Sequence, residues 1–168
     1  MQSTATFDQD SLRDPDRTHS KVAESDATDY FVFRLCGRTY ALMPGAIDLV
    51  APTQPIVPVP TAGPFVRGVI HLRGRIIAVI DLAALLEIDT QPAPSDGARL
   101  VVIAASSPFA FAVDTTLGLW AFARDAQTRT VDDGPIVCGR IEDRGGAATI
   151  IDTRAVFDRI VAMRSERP

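Results

Sequence analysis

One pattern limits what this chain can fold into more than any other: a long stretch of it occurs twice. The segment GVIHLRGRIIAVID, from Gly68 to Asp81, is echoed by GRIEDRGGAATIID, from Gly139 to Asp152. A single shift of 71 positions carries Gly68 to Gly139, Ile70 to Ile141, Arg73 to Arg144, Gly74 to Gly145, Ile80 to Ile151 and Asp81 to Asp152. It also carries Tyr40-Ala41-Leu42 onto Phe111-Ala112-Val113, and Leu85 onto Val156. Each unit reads as an apolar strand, an Arg-Gly hairpin turn, a more buried strand, and an aspartate placed to cap a short helix. Two repeats of about five short strands each predict a pair of small, tightly twisted barrels packed side by side.

Local structure accounts for some residues of the unit better than others. Gly74 and Gly145 have a plain cause, because a tight hairpin turn needs positive φ and glycine accepts it without strain. Asp81 and Asp152 read as twin helix caps, a better account than paired catalytic carboxylates. Arg73 and Arg144 have no comparable local cause. Each is either a solvated turn charge or a contact for something outside the chain.

Around the repeat the chain divides simply. Residues 1–29 are polar and rich in aspartate, with Phe7 as the one aromatic residue before Tyr30. Too little apolar surface is present to offset ordering entropy, so an acidic disordered tail is expected there, with at most a weak helix over Asp8–Arg13. Strands are expected over Tyr30–Leu35 and Thr39–Met43 around a Cys36-Gly37-Arg38 turn, then an irregular or helical stretch from Pro44 to Val50. Prolines 52, 55, 58 and 60 keep the following segment extended. Strands over Phe65–Leu72 and Arg75–Ile80 lead into a short helix, LAALLEI, at Leu82–Ile88. The Pro- and Ala-rich DTQPAPSDGA at 89–98 reads as a seam, placing a first barrel over about 30–98 and a second over about 99–152. A closing helix over 153–165 buries one face through Ala155, Val156, Ile160 and Met163.

Composition excludes several classes of function. Hydrophobic residues make up 46% of the 168, enough to bury a sizeable core. The formal charge of −4 comes without a basic cluster, which argues against nucleic-acid binding. No apolar run approaches the ~20 residues that span a bilayer, and no secretory leader is evident, so a cytoplasmic protein without direct membrane insertion is expected. Cys36 and Cys138 read as small buried apolar residues. The two histidines, His19 and His71, stand apart with no third ligand for a metal, and no Ser-His-Asp set can be assembled. The stretch EDRGGA lacks the lysine and the spacing of a phosphate-binding loop. Neither an enzyme nor a cofactor-binding protein is expected.

The stretch FVRGVIHLRGRIIAVIDL, from Phe65 to Leu82, closely resembles the signature of the CheW family of bacterial chemotaxis coupling proteins. The opening FVFRLCGRTYALMPGAIDLV, from Phe31 to Val50, is similar to that family's first hairpin, and the resemblance extends from Tyr30 to Phe157. It implies a mostly β fold of two SH3-like five-stranded barrels around a shared apolar core, with short helices. It implies an adaptor that links the cytoplasmic tips of chemoreceptors to the regulatory domain of the histidine kinase CheA, the receptor's helical hairpin lying between the barrels. Matched position by position, it assigns receptor contacts to Arg73, Ala46, Leu100 and Leu119. Asp48 matches the acidic residue of the opening segment and is expected to pair with Arg73.

Several positions depart from the family pattern. His71 replaces the usual asparagine, Ala78 the usual proline and Ala46 a larger aliphatic residue, while the stretch from Trp120 to Val137 is short. These departures motivate an alternative: a coupling-like domain rewired to another signalling kinase, or a competitor of array assembly.

Overall fold

The backbone pairing follows the repeat closely, but it crosses the seam. A computed structural model describes residues 27–60, 62–88, 97–128, 134–143 and 146–165. Among these are eleven strands: β1 (Ala27–Leu35), β2 (Arg38–Leu42), β3 (Ile47–Pro52), β4 (Val66–Leu72), β5 (Arg75–Ile80), β6 (Arg99–Ile103), β7 (Phe109–Val113), β8 (Thr115–Ala123), β9 (Gln127–Thr128), β10 (Val137–Asp143) and β11 (Gly146–Ile151). Two helices accompany them, α1 (Leu82–Leu85) and α2 (Thr153–Ser165). Sheet I has the order β8-β1-β2-β11-β10-β9 and sheet II the order β3-β6-β7-β5-β4. A lone bridge from Val57 to Val69 extends sheet II past β4.

The shift of 71 carries β2 onto β7, β4 onto β10 and β5 onto β11, end to end. It also carries the Val57–Val69 bridge onto the pairing of Thr128 with Arg140. The strand order of one sheet, read through the shift, is therefore the order of the other. β1 and β6 need a shift of 68, and β3 and β8 one of 67, since Phe31 pairs with Leu119 and its counterpart Arg99 with Pro52. Phe33 faces Tyr40 across a two-residue loop, whereas Val101 faces Phe111 across the longer loop after Ile103.

The boundary expected at the seam is corrected by this topology. Sheet I takes β1 and β2 from the first half and β8 to β11 from the second; sheet II takes β3 to β5 from the first and β6 and β7 from the second. The exchange is sealed by two parallel pairings, β2 with β11 and β5 with β7. A sequence repeat shows which segments are alike, but not which copy each segment pairs with. The stretch after Pro44 is also more regular than expected. A short 3-10 turn at Pro44–Ala46 leads directly into β3.

Three apolar clusters follow from the alternation of side chains along strands. Inside sheet I lie Val32, Phe122, Ile141 and Ile150. Inside sheet II lie Ala51, Ile70, Val79 and Leu100. The third and largest cluster lies between the sheets and joins Phe33 and Tyr40 to Phe109 and Phe111, with Leu82 and Leu85 of α1 and Val156 of α2. Each large side chain so buried contributes about 1.5–3 kcal/mol of transfer free energy.

The repeated glycines and aspartates have visible causes. At Gly68 the pairing of β4 with β5 bulges, φ is +149°, and a Cβ would collide with the Val57 carbonyl oxygen of the crossing chain. At Gly139 the pairing of β10 with β11 bulges in the same place, and a Cβ would lie 2.8 Å from the Thr128 carbonyl oxygen. Asp81 accepts a hydrogen bond from the Ala84 amide at 3.0 Å, and Asp152 accepts one from Ala155 at 3.1 Å. Each aspartate's own amide donates back to the residue just before the preceding hairpin, to the Phe65 and Ile136 carbonyls.

Other expectations shift in detail. The acidic tail was expected to run to Asp29, but Ala27, Thr28 and Asp29 pair with Ala123, Phe122 and Ala121 of β8, so backbone pairing outruns the apolar pattern. Residues 1–26 lie outside the described residues, as do 89–96, Arg144 and Gly145. The helix expected through Ile88 ends at Leu85. Glu87 takes φ +54° and its amide donates to Ala84, while the Ile88 amide donates to Ala83. That pair of bonds is a Schellman stop. Cys36 is half-buried and Cys138 exposed, not buried as expected; Cys138 falls at the Val137/Gly139 bulge, which turns it outward.

Candidate functional site

The β4–β5 hairpin closes by the tightest route available. Leu72 pairs with Arg75, leaving Arg73 and Gly74 as a two-residue loop with φ of +50° and +79°. Positive φ at both loop residues marks the type I′ turn, whose twist matches that of paired strands. Gly74 occupies it freely. Arg73 does not, because a Cβ in the left-handed region costs roughly 1 kcal/mol. The turn therefore gives the arginine no local reason to be there. Arg73 is exposed at the apex, where its guanidinium is presented to whatever meets the end of the barrel.

The apex has two neighbours, Ile76 and Arg75, that the sequence did not single out. Ile76 is 74% exposed, and His71, also exposed, sits opposite it in the pairing. Arg75 places a guanidinium nitrogen 3.9 Å from the Asp48 carboxylate. The expected partner of Asp48 was Arg73; the structure replaces it with Arg75. Arg73 lies beyond the last cross-strand pair, while Arg75 opens β5 and reaches β3. The pair is solvent-exposed and contributes at most about 1 kcal/mol, but it fixes the hairpin beside the segment that carries Ala46.

Ala46 ends the 3-10 turn and is half-buried. Its carbonyl accepts from the Ala104 amide at 2.9 Å, which anchors its backbone against the loop after β6. Leu119 is 64% exposed on β8. A bulge between Val32 and Phe33 in the β1–β8 pairing, with Gly118 at φ +94°, separates it from Leu117, which packs on the core inside sheet I. In the pairing Leu119 is the counterpart of Pro52, because Leu119 faces Phe31 on sheet I and Pro52 faces Arg99, the equivalent of Phe31, on sheet II.

Leu100 does not belong to this surface. It is fully buried, at 0% exposure, inside sheet II, and no partner can touch it in the folded chain. The longer β6–β7 loop displaces the register, and Leu100 stands where Val32 stands in sheet I, facing the core. Gly74, Asp81 and Asp152 occupy the turn and the two caps described above; Arg144 and Gly145 lie outside the described residues. Exposed apolar residues Met43 and Val50 flank the Ala46–Asp48 segment. For Val50 the signal was available, since β3 alternates and places Asp48, Val50 and Pro52 outward.

Among the described residues no group of three histidines, cysteines or carboxylates is placed to hold a metal ion, and no helix is long and apolar enough to cross a membrane. The surface offers a guanidinium on a rigid turn, an exposed ion pair at its base, and scattered aliphatic side chains.

Known proteins share sequence and fold with this chain. A family model described as a CheW-like domain matches residues 29–161. A chemotaxis protein CheW from Thermotoga maritima is 52% identical over 42 residues, a segment that spans 25% of this chain and 28% of that protein. The crystal structure of the scaffolding protein TtCheW from Thermoanaerobacter tengcongensis is similar in fold, with a TM-score of 0.67 and 24% identity over 74% of this chain and 88% of that one.

Proposed function

Because this chain belongs to the CheW-like domain family, we propose that it is a non-catalytic adaptor coupling chemoreceptors to the histidine kinase CheA. Its site of action on this reading is the cytoplasm, at membrane-associated receptor arrays. The single observation that carries the reading is Arg73, exposed at a turn position that disfavours it and flanked by Ile76 and the Arg75–Asp48 pair. Residues kept against backbone preference cluster at functional sites. An arginine with aliphatic neighbours suits a receptor helix that offers a carboxylate or amide beside apolar side chains, and a charge-assisted bond of that kind is stronger than a neutral one. Ala46 and Leu119 complete the receptor-facing set, and the regulatory domain of the kinase takes a separate surface.

Calorimetric titration of the full chain with a receptor tip and, separately, with the kinase regulatory domain tests this. Both are expected to bind. Arg73→Ala should weaken the receptor tip on the order of 10–100-fold, or about 1.4–2.8 kcal/mol, and leave the kinase domain unchanged. Binding to neither partner would overturn the reading.

A further inference from the structure

One sheet face is built twice, and its chemistry is reversed between the barrels. On sheet II, Val69, Ala78 and Phe109 pair in a row across β4, β5 and β7, and Phe111 shares their face. There α2 stacks Phe157 on Phe109, centroids 6.2 Å apart. Through the shift of 71 the four positions become Arg140, Thr149, Arg38 and Tyr40 on sheet I. Each changes from an apolar side chain to a hydrogen-bond donor. Closing a barrel does not ask for the change, since the equivalent barrel closes without it. In sheet I the helix stops after Leu85, with Glu87 at φ +54°, and an open groove of about 490 Å³ lies over this face. Leu86, Ile88 and Val137 give it an apolar wall.

The polar groups of the groove converge. Tyr40, Thr149 and Arg140 pair in a row across β2, β11 and β10, and Arg38 lies two residues before Tyr40 on the same face. Tyr40 is only 4% exposed, and its hydroxyl takes a side-chain hydrogen bond from Arg38. Burial pushes the phenol above its ordinary pKa while Arg38 and Arg140 pull it down, so both guanidiniums bear on one oxygen. A guanidinium has five N–H donors, so one partner within the chain exhausts neither of them. The charged lining is two cations, Arg38 and Arg140, against one carboxylate, Glu142, a positive surface on a chain of net charge −4. That count matches a monoanion better than a dianion. The volume falls in the roughly 300–1,000 Å³ range of small-molecule sites.

We propose that this groove binds a small organic monocarboxylate. Arg38 and Arg140 hold its carboxylate beside the Tyr40 and Thr149 hydroxyls, and its apolar body lies against Leu86, Ile88 and Val137. Guanidinium forks match the two oxygens of a carboxylate, and such charge-assisted bonds are stronger than neutral ones. The site uses sheet I and the end of α1, whereas Arg73 belongs to sheet II. The proposal is independent of the adaptor reading and concerns the chain alone.

Nitrogen-15 correlation spectra of the full chain, titrated with hexanoate, test it. The Thr39, Tyr40, Arg140 and Thr149 amides should shift together and saturate with a Kd below about 5 mM. Hexanol, which keeps the apolar body and loses the charge, should bind on the order of 10-fold more weakly. So should acetate, which keeps the charge and loses the body. Arg38→Gln and Arg140→Gln, which alter no core residue, should each weaken hexanoate on the order of 10-fold and leave the rest of the spectrum unchanged. Shifts that do not saturate, or that saturate away from the groove, would overturn the proposal. So would hexanol or acetate binding as tightly as hexanoate, or an unchanged affinity in either arginine variant.

Discussion

Gly68 and Gly139 admit a crossing backbone at equivalent places in the two barrels, and Asp81 and Asp152 start equivalent helices, yet beyond those points the barrels diverge. On sheet II the helix continues and packs; on sheet I it is stopped after one turn. On sheet II the β4–β5 apex presents Arg73 with the Arg75–Asp48 pair at its base; on sheet I the position equivalent to Arg75 is Gly146, which has no side chain to make such a pair. The shared features are those that close a barrel. The differences lie around the closed barrels, in a helix and a hairpin apex. The repeated glycines and aspartates therefore report the fold, whereas Arg73, although repeated as Arg144, has no local cause and stands beside Arg75 and Ile76, whose counterparts are Gly146 and Ala147.

That contrast can be tested in order of expected effect. Gly68→Ala adds both a collision with the Val57 carbonyl and a strained φ, so a loss of roughly 3–5 kcal/mol in urea unfolding is expected. Gly139→Ala meets crowding without a strained φ and should lose roughly 1–3 kcal/mol. Equal losses would mean that the positive φ at Gly68 adds nothing to the crowding the two glycines share. Leu100→Ala should cost about 2–5 kcal/mol as a core truncation, while Leu119→Ala stays within about 0.5 kcal/mol. A mild Leu100→Ala in the same unfolding experiment would return Leu100 to the surface.

Smaller effects probe the caps. Asp81→Ala and Asp152→Ala should each lose about 1 kcal/mol. For Asp152→Ala the loss should appear as earlier hydrogen exchange along α2. For Asp81→Ala it should appear in the global unfolding midpoint, because α1 is a single turn set in the shared core. Neither variant should change receptor-tip affinity.

Much of the fold was legible from the residues, for identifiable reasons. The hairpins, the caps and the β4–β5 turn are encoded locally, by alternation, by an aspartate before an apolar run and by an Arg-Gly pair. The exchange of strands between halves was not legible, because β2 is as well suited to pair with β5 as with β11 on pattern alone. Leu100 was misplaced because the β6–β7 loop is longer than its counterpart, and a register slip of an odd number of residues turns a strand over. Asp48 was assigned to the wrong arginine because Arg73 and Arg75 are two positions apart, and only the turn geometry puts one at the apex and the other at the base.

The central claim is that Arg73 is held at its turn for a partner and not for the fold. The most direct measurement pairs the unfolding free energy of Arg73→Gly with its affinity for a receptor tip. Glycine relieves the left-handed φ, so the variant should be more stable by about 0.5–1 kcal/mol while its affinity falls on the order of 10–100-fold. Unchanged affinity, or a loss of stability, would contradict it.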